Sequence, residues 1–318
     1  MTRAAPSSGP QADGRLDTGG RLDGFRLLVT GIATADSIAF ATARSAQRAG
    51  ARVVASAFPR DGDRARQAVS TLDDPIPVVE CDATSAGDLD RLGTSVDELL
   101  GGLDGVVHAI AYAPTELLGG TLLDAPTDRV GIAFTTSVVS YVALGRLLAE
   151  LAPAAGGSLV GLDFDASGAW PVYNWMGICK AALESANRYL ARDLGPRRIR
   201  ANLVAAGPLH TRAADAIPGF GHLLEAWETT APLGWDPTDA AVAADAVCFL
   251  LSEAAAAITG EILHVDGGYH AMAAPLRPMA GEPTDPSAAR TTAHDEVTDV
   301  DDGRPFDMTL PVREGATR

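Results

Sequence analysis

A chain of 318 residues, 47% hydrophobic and carrying a net charge of −16, is long enough to bury a large α/β core. Its charge is of the wrong sign for nucleic acid or an anionic membrane as a partner. Three scattered cysteines (Cys81, Cys179, Cys248) make neither a disulfide framework nor a metal site, and read as free thiols in a reducing compartment. The start has neither the basic opening nor the apolar run of a signal peptide, so the expected location is the cytoplasm.

In chain order, residues 1–20 are rich in Gly, Pro, Ser and Asp without periodicity and read as a flexible arm. Residues 21–272 alternate between two patterns. Short apolar runs predict strands at 25–30, 52–57, 76–81, 105–110, 158–162, 200–204 and 261–265. Between most of them, apolar residues at spacings of three and four predict helices at 37–49, 88–100, 127–151, 174–194 and 238–251. Runs apolar on both faces and alternating with helices belong to a parallel sheet. The expectation is one doubly wound, Rossmann-type α/β domain with seven parallel strands and helices on both faces. The remainder, 273–318, is Pro- and Asp-rich and reads as an acidic, disordered tail, with Phe306-Asp307-Met308 the one piece suited to docking.

The first strand runs into Thr30-Gly31 and then a helix opening near Ser37, the place where such a sheet holds a dinucleotide pyrophosphate. The three-glycine fingerprint is absent, because Gly31 stands alone before Ile32. Ser37 can cap the helix or give its hydroxyl to a phosphate oxygen. Strand two ends at Phe58-Pro59-Arg60 without the usual ribose-binding acid, which leaves Phe58 to flank the adenosine. Arg60 is a candidate for a 2′-phosphate, but Asp61 and Asp63 compete for it, which favours NADH over NADPH. Asp82, at the end of strand three, can accept from the adenine amino group. At the end of strand four Ala109 and Ala111 allow close approach, and His108 reads as a hydrogen-bonded core residue.

Lys180 is the only lysine beside 24 arginines. Where charge alone matters arginine serves, so the surviving lysine marks a site that needs a compact ammonium on a flexible stem. It lies on the helix opening near Asn174, where it can hydrogen-bond ribose hydroxyls and lower the pKa of a nearby phenol.

The segment Gly161–Asp165, together with Tyr173-Asn174-Trp175-Met176 and Asn202–Pro208, resembles the short-chain dehydrogenase/reductase superfamily. Carbonyl reductases of that superfamily set Tyr and Lys four apart and place a serine thirteen before the Tyr. Here Tyr173 and Lys180 are seven apart, Val160 replaces the serine, and Phe164 precedes Tyr173 by nine. That pattern is similar to the NADH-dependent enoyl-acyl-carrier-protein reductases, and most similar to the mycobacterial isoniazid-target type, over residues 22–268. The resemblance implies that Gly31, Ile32, Ser37, Ile38, Phe58, Asp82, Ala83, Ile110 and Ala111 line the adenosine and pyrophosphate. It implies that Lys180 holds the nicotinamide ribose, with Pro208, Leu209 and Thr211 around the nicotinamide and diphosphate. Tyr173, Phe164 and Met176 would then meet the enoyl thioester, carried on acyl carrier protein or coenzyme A, in a homotetramer.

Two departures matter. Ala109 and Ala111 stand where the family more often has serine and glycine, and the added methyl at 111 would crowd inhibitors that bind above the nicotinamide. The stretch 214–230 is shorter than the corresponding substrate loop of the mycobacterial type, which implies short or medium acyl chains. Two other readings remain beside fatty-acid elongation: a paralogue of specialised metabolism, and a catalytically silent dinucleotide sensor.

Overall fold

The computed structural model describes residues 21–276. Most of the arm and tail expectations, including Phe306-Asp307-Met308, therefore lie outside the described residues. In chain order the elements are β1 (Arg26–Thr30), α1 (Ile38–Arg48), β2 (Arg52–Ala57), α2 (Gly62–Val69), β3 (Val78–Glu80), α3 (Ala86–Leu100) and β4 (Gly105–His108). They continue with α4 (Val130–Phe134), α5 (Ser140–Leu151), β5 (Gly157–Asp163), α6 (Asn174–Leu194) and β6 (Ile199–Ala206). The last are α7 (Arg212–Asp215), α8 (Gly221–Thr230), α9 (Ala241–Leu251) and β7 (Ile262–Val265).

All seven strands pair in parallel in the order β3-β2-β1-β4-β5-β6-β7. Strands such as β1 and β4 are buried on both faces because helices cover both. One apolar layer joins α1, α2 and α9 to the sheet through Leu27, Val29, Phe40, Ala65, Val247 and Leu251. The opposite layer joins α3, α5 and α6 through Leu28, Val96, Val106, Leu144, Leu148 and Leu183. The doubly wound expectation is thus met, with the order reversing between β1 and β4, where a crevice opens at the C-terminal strand ends.

The expected 127–151 helix begins as a 3-10 turn and is interrupted by a π turn at Thr135–Val139. Its length and composition would allow it to cross a membrane, but it packs against β4, β5 and α6 as a core helix. The π turn points Ser137 at the chain after β4, where its hydroxyl accepts from the Tyr112 amide at 3.1 Å. The stretch 214–230, expected as a loop, contains the end of α7 and all of α8. Helix α8 is held by buried Leu223 and Trp227.

Candidate functional site

At the end of β1, Gly31 turns the chain with φ +80°, and a Cβ there would lie 2.1 Å from the Ala109 carbonyl oxygen. Only glycine lets the β1 and β4 ends approach so closely. Ser37 caps α1: its hydroxyl accepts from the Phe40 amide at 3.1 Å and donates to the Thr34 carbonyl at 2.8 Å. Its proton is thus held locally, and contact with an anion here would require that bond to turn outward. Ile32 is 1% exposed, so its side chain belongs to the core and only its backbone faces the crevice.

At the end of β2, Phe58 is half exposed and the Arg60 guanidinium lies over both its ring, at 5.1 Å, and that of Tyr112, at 5.7 Å. Arg60 also approaches Asp61 at 3.5 Å, which is the competition expected from the sequence. The Asp82 Oδ1 accepts from the Thr84 amide and hydroxyl at 2.9 and 2.7 Å, so this carboxylate shapes its own turn. Ala83 is buried and Ala111 exposed. Pro208 and Leu209 are buried beyond β6, where the Pro208 carbonyl accepts from the Trp235 indole at 2.7 Å. Thr211 caps α7 by accepting from the Ala214 amide at 3.2 Å. His108 is buried, as expected, with Nε2 2.8 Å from the Ser140 hydroxyl. Burial first, and then the Lys180 charge, push its pKa down to about 3, so the ring stays neutral.

Lys180 is 5% exposed and donates to the Leu162 carbonyl at 2.8 Å. An ammonium has three protons, so this bond leaves donors for a diol. Burial lowers its pKa and the charge of Asp163 counteracts that. The Asp163 carboxylate is buried with both oxygens unpartnered among the described residues, and burial raises its pKa to about 7 despite Lys180. The place of Asp163 beside the sole lysine is a product of the β5–α6 packing.

Tyr173 is 9% exposed, and the Phe164 ring lies 5.2 Å from its ring. Met176, 6% exposed, packs with Tyr173 in the same cluster. The phenol pKa is raised, by burial first and then by Asp163. This corrects the expectation that Lys180 lowers it: the phenol is held neutral, as a donor. The residues flanking it are strained, Val172 at φ +63° and Asn174 at φ +39°. The strain is held in place by the Val172 carbonyl, which accepts from the Gly119 amide at 2.9 Å, and by the Asn174 amide bound to the Gly119 carbonyl.

The structure adds an aromatic wall that no local pattern announced. Trp170 lies 5.1 Å from both Phe164 and Trp227, and Trp227 stacks on Tyr269 at 3.9 Å. Arg197, Arg198 and Arg200, candidates for an acidic carrier's docking patch by sequence proximity, lie at the opposite end of β6 from the crevice. There Arg200 bonds the carbonyls of Leu250, Leu251 and Ser252 at 2.6 to 3.3 Å, a structural role.

The donor set fits a dinucleotide: a glycine turn at the crevice, a capped helix start, and a buried ammonium with donors to spare. Comparison with known proteins agrees with this geometry. The family model described as enoyl-(acyl carrier protein) reductase matches residues 31–270. The chain is 42% identical over 265 residues to the NADH enoyl-[acyl-carrier-protein] reductase of Mycobacterium avium, covering 78% of this chain and 97% of that one. It is 41% identical over 255 residues to the Aquifex aeolicus enzyme of the same name, covering 80% and 94%. With the Escherichia coli enzyme it shares 35% over 256 residues, covering 79% and 95%. The chain belongs to the enoyl-(acyl carrier protein) reductase family.

Proposed function

We propose that this protein is an NADH-dependent enoyl-[acyl-carrier-protein] reductase that saturates trans-2-enoyl thioesters in fatty-acid elongation. The observation that carries the reading is the pairing of a buried, neutral Tyr173 beside Phe164 with a buried Lys180, and Val160 where carbonyl reductases keep a serine.

Bound NADH supplies a hydride to the β-carbon of the enoyl group. The Tyr173 hydroxyl donates to the thioester carbonyl oxygen, where negative charge develops as the double bond is reduced. The α-carbon of the enolate then takes a proton from water, which gives the saturated acyl thioester and hydroxide. Phe164 holds the Tyr173 ring from one side and the strained Val172–Asn174 backbone fixes it from below. Lys180 orients the nicotinamide ribose with the protons that Leu162 leaves free. Ser37, Ile38, Phe58, Asp82, Ala83, Ile110 and Ala111 line the adenosine and pyrophosphate side, and Pro208, Leu209 and Thr211 close the nicotinamide end. The aromatic wall of Trp170 and Trp227 favours short and medium acyl chains. A homotetramer in the cytoplasm is the assembly and location that accompany this reading.

The test is loss of NADH absorbance with crotonyl, octenoyl and dodecenoyl thioesters, each on coenzyme A and on acyl carrier protein, with NADPH in parallel. Turnover with NADH and an enoyl thioester is expected. Oxidation of NADH with none of them would overturn the assignment in favour of a dinucleotide sensor or a specialised substrate. Tyr173→Phe is expected to lower kcat by about a hundredfold, the worth of one oxyanion donor, with little change in NADH affinity.

A further inference from the structure

The segment that follows β6 does not stay with its own strand. In the order β3-β2-β1-β4-β5-β6-β7, β6 is three strands from β1 and four from β2. At strand spacing those distances are about 14 and 19 Å. Yet Arg212, the first residue of α7, touches the loops that leave both. Its backbone amide donates to the Asp36 carboxylate at 3.2 Å, in the turn between β1 and α1. Its guanidinium Nη1 donates to Asp61 Oδ1 at 3.2 Å, in the turn after β2. The chain from 207 to 212 therefore runs from the end of β6 past the turn before α9, where the His210 amide donates to the Pro237 carbonyl at 2.7 Å, to the loops that border the crevice on the β1 and β2 side.

Asp61 is built to receive it. Its side chain is only 14% exposed although it lies in a surface turn. Arg64 bonds the same Oδ1 at 2.8 Å from one helical turn away, while Arg60 approaches Oδ2 at 3.5 Å. Arg60 is itself held over the ring of Phe58, the residue expected to flank the adenosine, and over that of Tyr112. Three guanidinium groups from two separate segments thus converge on one carboxylate. Asp36, the residue before the α1 cap Ser37, anchors the other end of the bridge beside the pyrophosphate position.

We propose that Arg212 is a cofactor-retention residue. Its bonds to Asp36 and Asp61 form a latch across the adenosine half of the dinucleotide crevice, and NADH enters and leaves only when the latch opens. This rests on the cofactor reading given above and adds to it a residue and a kinetic step. A latch whose Arg212 side chain is half exposed is weak, screened by salt and quick to reopen, which suits a gate that must cycle at every turnover. The bonds of Arg212 go to Asp36 and Asp61, on the adenosine side, so its effect belongs to cofactor residence and not to the hydride step.

The experiment compares the full-length wild type with Arg212→Ala, Asp61→Asn and the double variant. NADH affinity is read from nicotinamide fluorescence and NADH release from displacement kinetics, each at low and high salt. Hydrogen exchange of the amides at 211–216 is followed in the cofactor-free proteins. Arg212→Ala is expected to release NADH roughly three- to fivefold faster, the scale of an exposed ion pair. Salt should accelerate release from the wild type but not from this variant, and the double variant should add little. The 211–216 amides should exchange faster in Arg212→Ala without any cofactor, and Arg212→Lys should restore part of the retention. A wild type that binds NADH, with Arg212→Ala matching its release rate and salt dependence, would overturn the latch alone. A wild type that binds no NADH would overturn the cofactor reading, and the latch with it.

Discussion

The Lys180 ammonium donates to the Leu162 carbonyl at 2.8 Å, and the next residue along β5 is Asp163, whose buried carboxylate has no hydrogen-bond partner among the described residues. One carbonyl fixes the position of the ammonium, and the uncommitted carboxylate counteracts the lowering that burial imposes on the lysine's pKa.

Lys180→Arg tests the shape of this arrangement, because it keeps the charge. A planar guanidinium cannot sit in the ammonium's place against Leu162 and still present donors to a ribose. NADH affinity is expected to fall by about ten- to hundredfold, the worth of charge-assisted hydrogen bonds. Equal NADH dissociation constants for variant and wild type would remove Lys180 from the cofactor site.

Asp163 gives the pair a pH signature. Burial raises its pKa to about 7 in the folded protein, against about 4 for an unfolded carboxyl. Between those values the folded state binds more protons than the unfolded chain, so this group's contribution to stability falls as pH rises through the window. Asp163→Asn has no proton to lose there. The melting temperature of the wild type relative to Asp163→Asn is therefore expected to drop between pH 5 and pH 8, read by thermal melts at matched ionic strength. A difference that is flat or rises with pH would contradict the assignment.

The alternation of apolar runs and helical stretches made seven strands in a parallel sheet legible, because burial on both faces leaves a plain compositional mark; the order of the strands comes from the fold. Strand β2 (Arg52–Ala57) and helix α6 (Asn174–Leu194) lie where the pattern placed them. Helix α2 escaped notice because its buried face is made of Gly62, Ala65, Ala68 and Val69, too small to show as an apolar stripe. Helix α8 read as loop because few of its positions are large and buried. At the site, the resemblance singles out Tyr173, Lys180 and Phe164, and the fold brings the Phe164 and Tyr173 rings together. The Trp170–Trp227–Tyr269 wall and the Arg212–Asp61 bridge were not legible, since each joins segments that only the tertiary fold brings together.

Val172 offers a test of strain. A β-branched residue at φ +63° is costly, and the cost persists because the Gly119 amide holds its carbonyl. Val172→Gly removes the steric penalty of about 1–2 kcal/mol and adds chain entropy to the unfolded state, so the net gain in stability is at most about 1 kcal/mol. The same change loosens the residue next to Tyr173, and kcat is expected to fall severalfold while NADH affinity holds. A variant that loses stability would show that the Val172 side chain does more for packing than its backbone costs.

The aromatic wall sets the last expectation, which concerns chain length. Phe164 stands 5.2 Å from Tyr173, and Trp170 stands 5.1 Å from Phe164, so the indole is the second ring out from the reacting hydroxyl. Trp170 is backed in turn by Trp227 and by Tyr269, 5.5 Å away, which keeps it from swinging aside. An acyl chain running past Tyr173 on this side meets a fixed indole and not a yielding aliphatic group. Trp170→Leu retains an apolar surface and removes the ring, so the space opened should accept more methylenes. Each methylene is worth about 1 kcal/mol or more in such a pocket, and kcat/KM for dodecenoyl relative to crotonyl thioester is expected to rise by about tenfold or more. If the ratio stays constant while both rates fall, the indole supports Phe164 and Tyr173 without limiting the acyl chain, and the chain must leave the site past another wall.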